Sequence, residues 1–227
     1  MSGVDPQVIG RQGELAEVLG WLSSGSSTGA GTALVVEGEP GIGKTALLAE
    51  VVRKAHQSGR PVRWLRAHAD LGSAPFFPWR PMLPASSAPD LGGVAGGAAV
   101  PNRAALFETV VSVLHEDDGA GLLLVVDDVQ WADEDSLDLL RYVTRELHRL
   151  PIWVLPGSRT IDPRGSTTWD RTFADMAREP TVERLAVSGL DPQASHELFE
   201  HLAWVDHRSF GRDRDPGDDA REPAVRP

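Results

Sequence analysis

Eight residues, Gly38-Glu39-Pro40-Gly41-Ile42-Gly43-Lys44-Thr45, constrain this chain more than any other stretch. An apolar run, Ala33-Leu34-Val35-Val36, enters them, and a helix-forming run, Ala46-Leu47-Leu48-Ala49-Glu50-Val51-Val52, leaves them. The glycines therefore sit where a strand turns into a helix, the setting that an anion-binding loop requires. Glycines let backbone N–H groups converge on an anion, the helix N-terminus adds a positive field, and Lys44 supplies a full charge. Thr45 then offers its hydroxyl to a magnesium ion bridging the outer phosphates of a nucleoside triphosphate. Gly38, Glu39, Pro40, Gly41, Ile42, Gly43, Lys44, Thr45 and Ala46 are the candidate phosphate-binding residues, with Lys44 also a candidate catalytic residue. The chain holds only two lysines, Lys44 and Lys54, against twenty arginines, so a lysine at this place is not an accident of composition.

Around this loop, apolar runs alternate with helical periodicity. Thr32 to Glu37, Val62 to Ala67, Gly121 to Val126, Pro151 to Pro156 and Val182 to Val187 read as five strands. Helices are expected at Leu15 to Leu22, from the loop to about His56, from Arg103 to His115, after a cap at Asp135-Ser136, at Phe173 to Arg178, and from Pro192 to Leu202 behind a capping Asp191. Ser73 to Leu83, rich in proline and aromatic residues, reads as an irregular packed segment whose rings fill the core. Such alternation implies an α/β fold, a parallel sheet with helices on both faces, and ligands bind beyond the carboxyl ends of its strands.

Two other strand ends complete a site there. A buried strand that stops in two adjacent aspartates, Asp127 and Asp128, is costly unless something needs negative charge, and a hydrated magnesium ion is such a thing. Asp127 is assigned to the metal shell with Thr45, and Asp128 to polarising the attacking water. The other reading of this pair is a helix cap or a solvated turn. Arg159, after the fourth strand, can sense the γ-phosphate as a fixed cation; its alternative is a surface salt bridge. Asp133 and Glu134 read as caps of the following helix.

Composition narrows the remaining classes. With 227 residues the chain suits one α/β domain with a small appendage. No apolar run reaches the ~20 residues that span a bilayer, and no export signal is visible at the N-terminus, so no membrane partner is expected. The absence of cysteine rules out disulfides and Cys-based zinc sites and makes a cytoplasmic location the default. No histidine spacing matches a catalytic zinc site. The net charge of −11 leads to the expectation that this chain does not bind nucleic acid directly. Residues 1–7 read as a flexible lead-in, 86–102 as a mobile loop and 203–227 as a disordered tail.

Three motifs together resemble a known group. Val8-Ile9-Gly10-Arg11-x-x-Glu14-Leu15, the eight-residue loop, and Leu123-Leu124-Val125-Val126-Asp127-Asp128-Val129-Gln130-Trp131-Ala132-Asp133 are similar to the ATPase domain of STAND-type regulators, relatives of the AAA+ ATPases. The likeness is greatest to the nucleotide-binding domain of large LuxR-type bacterial transcriptional activators and extends over residues 8–202. It implies a three-layer P-loop NTPase fold with sheet order 5-1-4-3-2, Walker A and Walker B motifs, and ATP with Mg2+ as ligands. It further implies that Val8, Ile9 and Arg11 lie near the adenine and that the ATP state is the signalling-competent one. Residues 191–202 would begin a helical lid, whose Gly-x-Pro motif has no counterpart here, and the chain reads as truncated before the lid and output domains. The function expected is an ATP-binding, slowly hydrolysing regulatory switch with a protein partner or self-association. A non-catalytic nucleotide-binding or interaction module is the alternative; a small-molecule kinase would need an acceptor-binding segment that the sequence does not show.

Overall fold

Five parallel strands line up in the order β2-β3-β4-β1-β5, the expected order 5-1-4-3-2 seen from the other edge. They are β1 (Thr32–Gly38), β2 (Val62–Arg66), β3 (Leu122–Asp127), β4 (Ile152–Arg159) and β5 (Val182–Ala186). The computed structural model describes residues 8–24, 29–69, 75–83, 103–116, 121–161, 164 and 167–210. The lead-in at 1–7, the loop at 86–102 and the tail from 211 on lie outside the described residues.

Side chains alternate across a strand, so each strand feeds two cores. On one face Leu34, Val36, Leu123, Val125, Trp153 and Leu155 pack with α1 (Gln12–Ser24) and α2 (Lys44–Gln57). On the other, Val35, Leu122, Leu124, Val126, Ile152 and Val154 pack with α3 (Arg103–Glu116), α4 (Glu134–Glu146) and α5 (Thr168–Met176). The result is a three-layer sandwich with the P-loop NTPase arrangement. At ~1.5–3 kcal/mol for each buried aliphatic side chain, this two-sided burial holds the sheet edge that carries the polar residues. The aromatic segment fills the second core as expected: Phe76 and Trp79 are buried, and the Trp79 indole donates to the Ser136 carbonyl at 3.2 Å.

Several boundaries differ from expectation. β4 continues through Pro156 to Arg159, because proline's fixed φ suits an extended strand and its missing N–H removes at most one ladder bond. α5 starts at Thr168 rather than Phe173, since Thr167 and Asp170 form a reciprocal capping box. Of the two caps read for α4, Asp133 is the one in place, its carboxylate accepting from Ser136 N, while Asp135 and Ser136 lie inside the helix. The last helix, α6 (Pro192–Phe210), runs eight residues past its expected end at Leu202, because no glycine or proline interrupts the chain before Gly211.

The chain divides into two compact units, Met1–Gly189 and Leu190–Pro227. The first contains the sheet. In the second, Asp191 accepts from Ala194 N at 2.7 Å and so caps α6, as expected. No helix among the described residues is long and apolar enough to cross a membrane.

Candidate functional site

The loop between β1 and α2 turns on two glycines in the left-handed region, Gly41 at φ 78° and Gly43 at φ 101°, where a side chain would be strained. Glu39, Pro40 and Gly41 lie exposed, and the Glu39 carbonyl accepts from Ile42 N at 3.3 Å within the loop. Lys44, the first residue of α2, is 8% exposed and reaches back across the loop to donate to the carbonyls of Gly38 and Glu39, both at 2.9 Å. Its ammonium is thus held in the mouth of the loop.

Arg11 is buried at 3% exposure and takes its place at the site from behind. Its guanidinium donates to the Ile42 carbonyl at 2.8 Å, to the Ser188 carbonyl at 2.5 Å and to Glu14 at 2.7 Å. It therefore ties the phosphate loop to the segment after β5. Val8 accepts from Arg11 N at 3.2 Å, and Val8 and Ile9 are half-buried in the turn that leads into α1. Replacing Arg11 by alanine leaves the Ile42 and Ser188 carbonyls without this donor. The expected cost is ~2–4 kcal/mol of stability, read as a fall in the denaturation midpoint in urea.

The acidic strand end meets the loop directly. Asp127, 1% exposed, accepts from the Thr45 hydroxyl through Oδ1 at 3.2 Å. Its Oδ2 is taken by Arg66, whose Nε and Nη2 donate at 3.1 and 2.6 Å. Arg66 ends β2, in register with Asp127 at the end of β3. Asp128 adopts a left-handed backbone, φ 56° and ψ 38°, a conformation that costs a non-glycine residue ~1–2 kcal/mol and that clusters at functional sites. Its carboxylate accepts from the Gln130 amide at 3.0 Å. Arg159, the last residue of β4, lies in register with Gly38, and its guanidinium sits 4.7 Å over the Trp131 ring. Among the described residues the partner of its guanidinium is this ring, and no carboxylate pairs with it.

Charge coupling ties these groups to one another. Burial holds the Lys44 pKa below the ordinary lysine range, Asp128 and Asp127 pull it up, and Arg159 pushes it further down. Lys44 therefore feels both carboxylates and the arginine. Lys44, Thr45, Asp127, Asp128 and Arg159, gathered from three strand ends, share one edge of the sheet. A hydroxyl and a carboxylate oxygen side by side are the hard oxygen donors that suit a magnesium ion.

Two residues at this edge escaped the sequence reading. Arg66 was legible only through the strand order, which sets the end of β2 beside the end of β3. Gln130 follows the acidic pair by two residues and gives no signal until the backbone turn at Asp128 is known. A buried carboxylate, Glu37, accepts from Arg184 across the sheet at 2.6 Å and from Ile161 N at 3.0 Å, fixing the segment that follows Arg159.

Known proteins share this architecture. Residues 7–155 match the family model of the AAA ATPase domain. No curated protein matches the chain. Among solved structures, Cdc6p from Pyrobaculum aerophilum aligns with TM-score 0.60 and 16% identity over 90% of this chain and 52% of that one. The ORC1 protein of Aeropyrum pernix, in complex with DNA, aligns with TM-score 0.57 and 18% identity over 86% and 49%. AMPPCP-bound DnaA from Aquifex aeolicus aligns with TM-score 0.53 and 17% identity over 87% and 52%. The chain thus spans about half the length of these proteins, and the likeness is one of fold.

One expectation is overturned here. The inference from net charge that the chain makes no direct contact with nucleic acid does not stand, because the fold is one that the ORC1 protein carries in a complex with DNA. A whole-chain charge of −11 sums over every face, whereas a nucleic acid meets only a local field. With the loop, the acidic strand end and the 5-1-4-3-2 sheet in place, and with a family match over residues 7–155, this chain belongs to the AAA ATPase domain family.

Proposed function

We propose that this chain is the ATP-binding, slowly hydrolysing switch domain of a bacterial signalling or transcriptional regulator. The observation that carries the reading is the contact of Thr45 with Asp127 at 3.2 Å, beside a buried Lys44 that feels Asp128 and Arg159. The AMPPCP bound to the Aquifex aeolicus DnaA supports a nucleoside triphosphate as the ligand. The regulator assignment rests on the Asp127-Asp128-Val129-Gln130-Trp131-Ala132-Asp133 stretch and its likeness to STAND-type ATPases.

In this reading Gly38 to Ala46 cradle the phosphates, and Lys44 exchanges the Gly38 and Glu39 carbonyls for phosphate oxygens. Val8, Ile9 and Arg11 border the base, and Arg11 also holds the loop in shape through the Ile42 carbonyl. Thr45 and Asp127 would hold Mg2+, which neutralises charge on the outer phosphates. Asp128 orients and polarises the attacking water, and Arg159 meets the γ-phosphate. Driving a two-state equilibrium from about 1:99 to 99:1 needs ~5.5 kcal/mol of differential affinity. Two or three charge-assisted contacts to the γ-phosphate, at ~1.5–3 kcal/mol each, supply that amount. Residues 191–202 serve in this scheme as the start of a lid. A protein partner or self-association carries the output, and DNA joins the proposed partners on the strength of the ORC1 complex.

The test is phosphate release from Mg-ATP at several protein concentrations. Slow, Mg-dependent release is the expected result, and a specific rate that climbs with concentration identifies subunits completing one another's sites. The second reading, a nucleotide-binding module without turnover, is favoured by the Arg66–Asp127 pair, which already occupies one oxygen of the metal carboxylate. Tight nucleotide binding with no release at any concentration would establish that module in place of the hydrolase.

A further inference from the structure

The short 3₁₀ turn Val129–Trp131 touches both the candidate water-polarising carboxylate and the candidate γ-phosphate cation. Gln130 donates from its amide nitrogen to Asp128 Oδ1 at 3.0 Å and accepts at its amide oxygen from the Arg159 backbone N–H at 3.1 Å. The orientation of the amide is forced. A carboxylate has no hydrogen to give and a backbone N–H has no lone pair, so only one of the two amide flips satisfies both neighbours. Trp131, the next residue, lies under the Arg159 guanidinium at 4.7 Å and closes the turn by donating its N–H to the Asp128 carbonyl at 2.9 Å. Arg159 is therefore gripped twice by one turn, at its backbone by Gln130 and at its side chain by Trp131. Asp128 enters the same turn in a left-handed conformation that leaves its carboxylate facing Gln130.

The geometry points to Gln130 as a positioning residue that couples the end of β4 to Asp128, so that displacement of Arg159 by a γ-phosphate re-aims the carboxylate. The inference rests on the ATP-switch reading of this site. Its chemistry is specific to a primary amide of this length. Glutamate keeps the acceptor for the Arg159 N–H but loses the donor and places a second carboxylate against Asp128. Methionine matches the volume and provides neither bond. A lysine would give a donor and no acceptor.

The decisive comparison is between the parent, Gln130→Glu and Gln130→Met, each measured for Mg-ATP turnover, for affinity towards ADP and towards ATPγS, and for thermal midpoint. A positioning role predicts that both variants lose turnover by about tenfold or more, in keeping with groups that orient a reacting residue without touching substrate. ADP affinity stays within about twofold, since nothing in the phosphate loop has changed, while the preference for ATPγS over ADP falls by about fivefold, one hydrogen bond's worth. The thermal midpoint of Gln130→Met stays that of the parent. Variants that turn over and discriminate like the parent overturn the inference. So does a Gln130→Met protein that loses ADP affinity in step with its activity, because that pattern belongs to a damaged fold. A parent that fails to distinguish ATPγS from ADP overturns the switch reading itself and this inference with it, whereas normal discrimination in the parent beside unaffected variants removes only the role of Gln130.

Discussion

Lys44→Ala protein is expected to bind Mg-ATP about 100-fold more weakly than the parent while folding as well or better. The loss follows from removing charge-assisted bonds worth ~1.5–3 kcal/mol each, with tenfold in affinity for every 1.4 kcal/mol. Stability does not fall, because the alanine lifts the burial penalty on the Lys44 charge, which offsets the donor lost by the Gly38 and Glu39 carbonyls. Calorimetric titration with a thermal melt of the same sample reads both quantities, and undiminished ATP affinity would end the assignment of this loop. A pH dependence of opposite signs accompanies it. Since burial places the folded pKa of Lys44 below the ordinary 10.5, the unfolded chain holds this proton longer as pH rises. Between the two pKa values the unfolded state binds more protons, so the ligand-free protein gains stability with rising pH. Nucleotide affinity falls across the same window as the ammonium is lost, and in Lys44→Ala both trends disappear.

Asp128→Asn is expected to abolish most turnover and keep binding. The amide preserves the shape of the side chain but cannot take a proton from water, and loss of a positioned base costs ~10²–10⁴ in rate. Thr45 and Asp127 remain to hold the metal, so affinity for Mg-ATP changes little, and its neighbour Lys44 keeps its place against the Gly38 and Glu39 carbonyls. Single-turnover phosphate release beside equilibrium binding separates the two effects. A variant that hydrolyses at the parental rate would move the role to another residue or to none. Asp127→Asn is the informative contrast. It disturbs the contacts to Thr45 and Arg66 and so weakens Mg-dependent binding as well as rate.

Much of this was legible beforehand because local signals agreed with one another. The loop from Gly38 to Thr45 stands between a continuous apolar strand and a helix-forming run, and the left-handed values at Gly41 and Gly43 are those only glycine adopts freely. Asp191 and Asp133 announce helix starts by residue type alone. Errors fell where a local rule was outweighed. Pro156 reads as a strand end, yet the ladder to β1 carries the chain through to Arg159, while the ladder to β3 stops at Pro156. The helix at Thr168–Met176 starts five residues before its apolar spacing suggests, because its apolar residues are few and the Thr167–Asp170 capping box sets its start. The negative net charge misled for a different reason, being a sum with no address on the surface.

By itself the sequence determined the alternation of strands and helices, the phosphate loop, the acidic strand end and the family resemblance, all of them set by interactions between residues close in the chain. Only the tertiary structure decided that Arg66 grips Asp127 from 61 residues away, that Arg11 braces Ile42, and that Gln130 joins Asp128 to Arg159. Strand order and register bring such residues together. These depend on how two apolar faces of one sheet are covered at once, a balance spread over the whole chain that no short stretch contains.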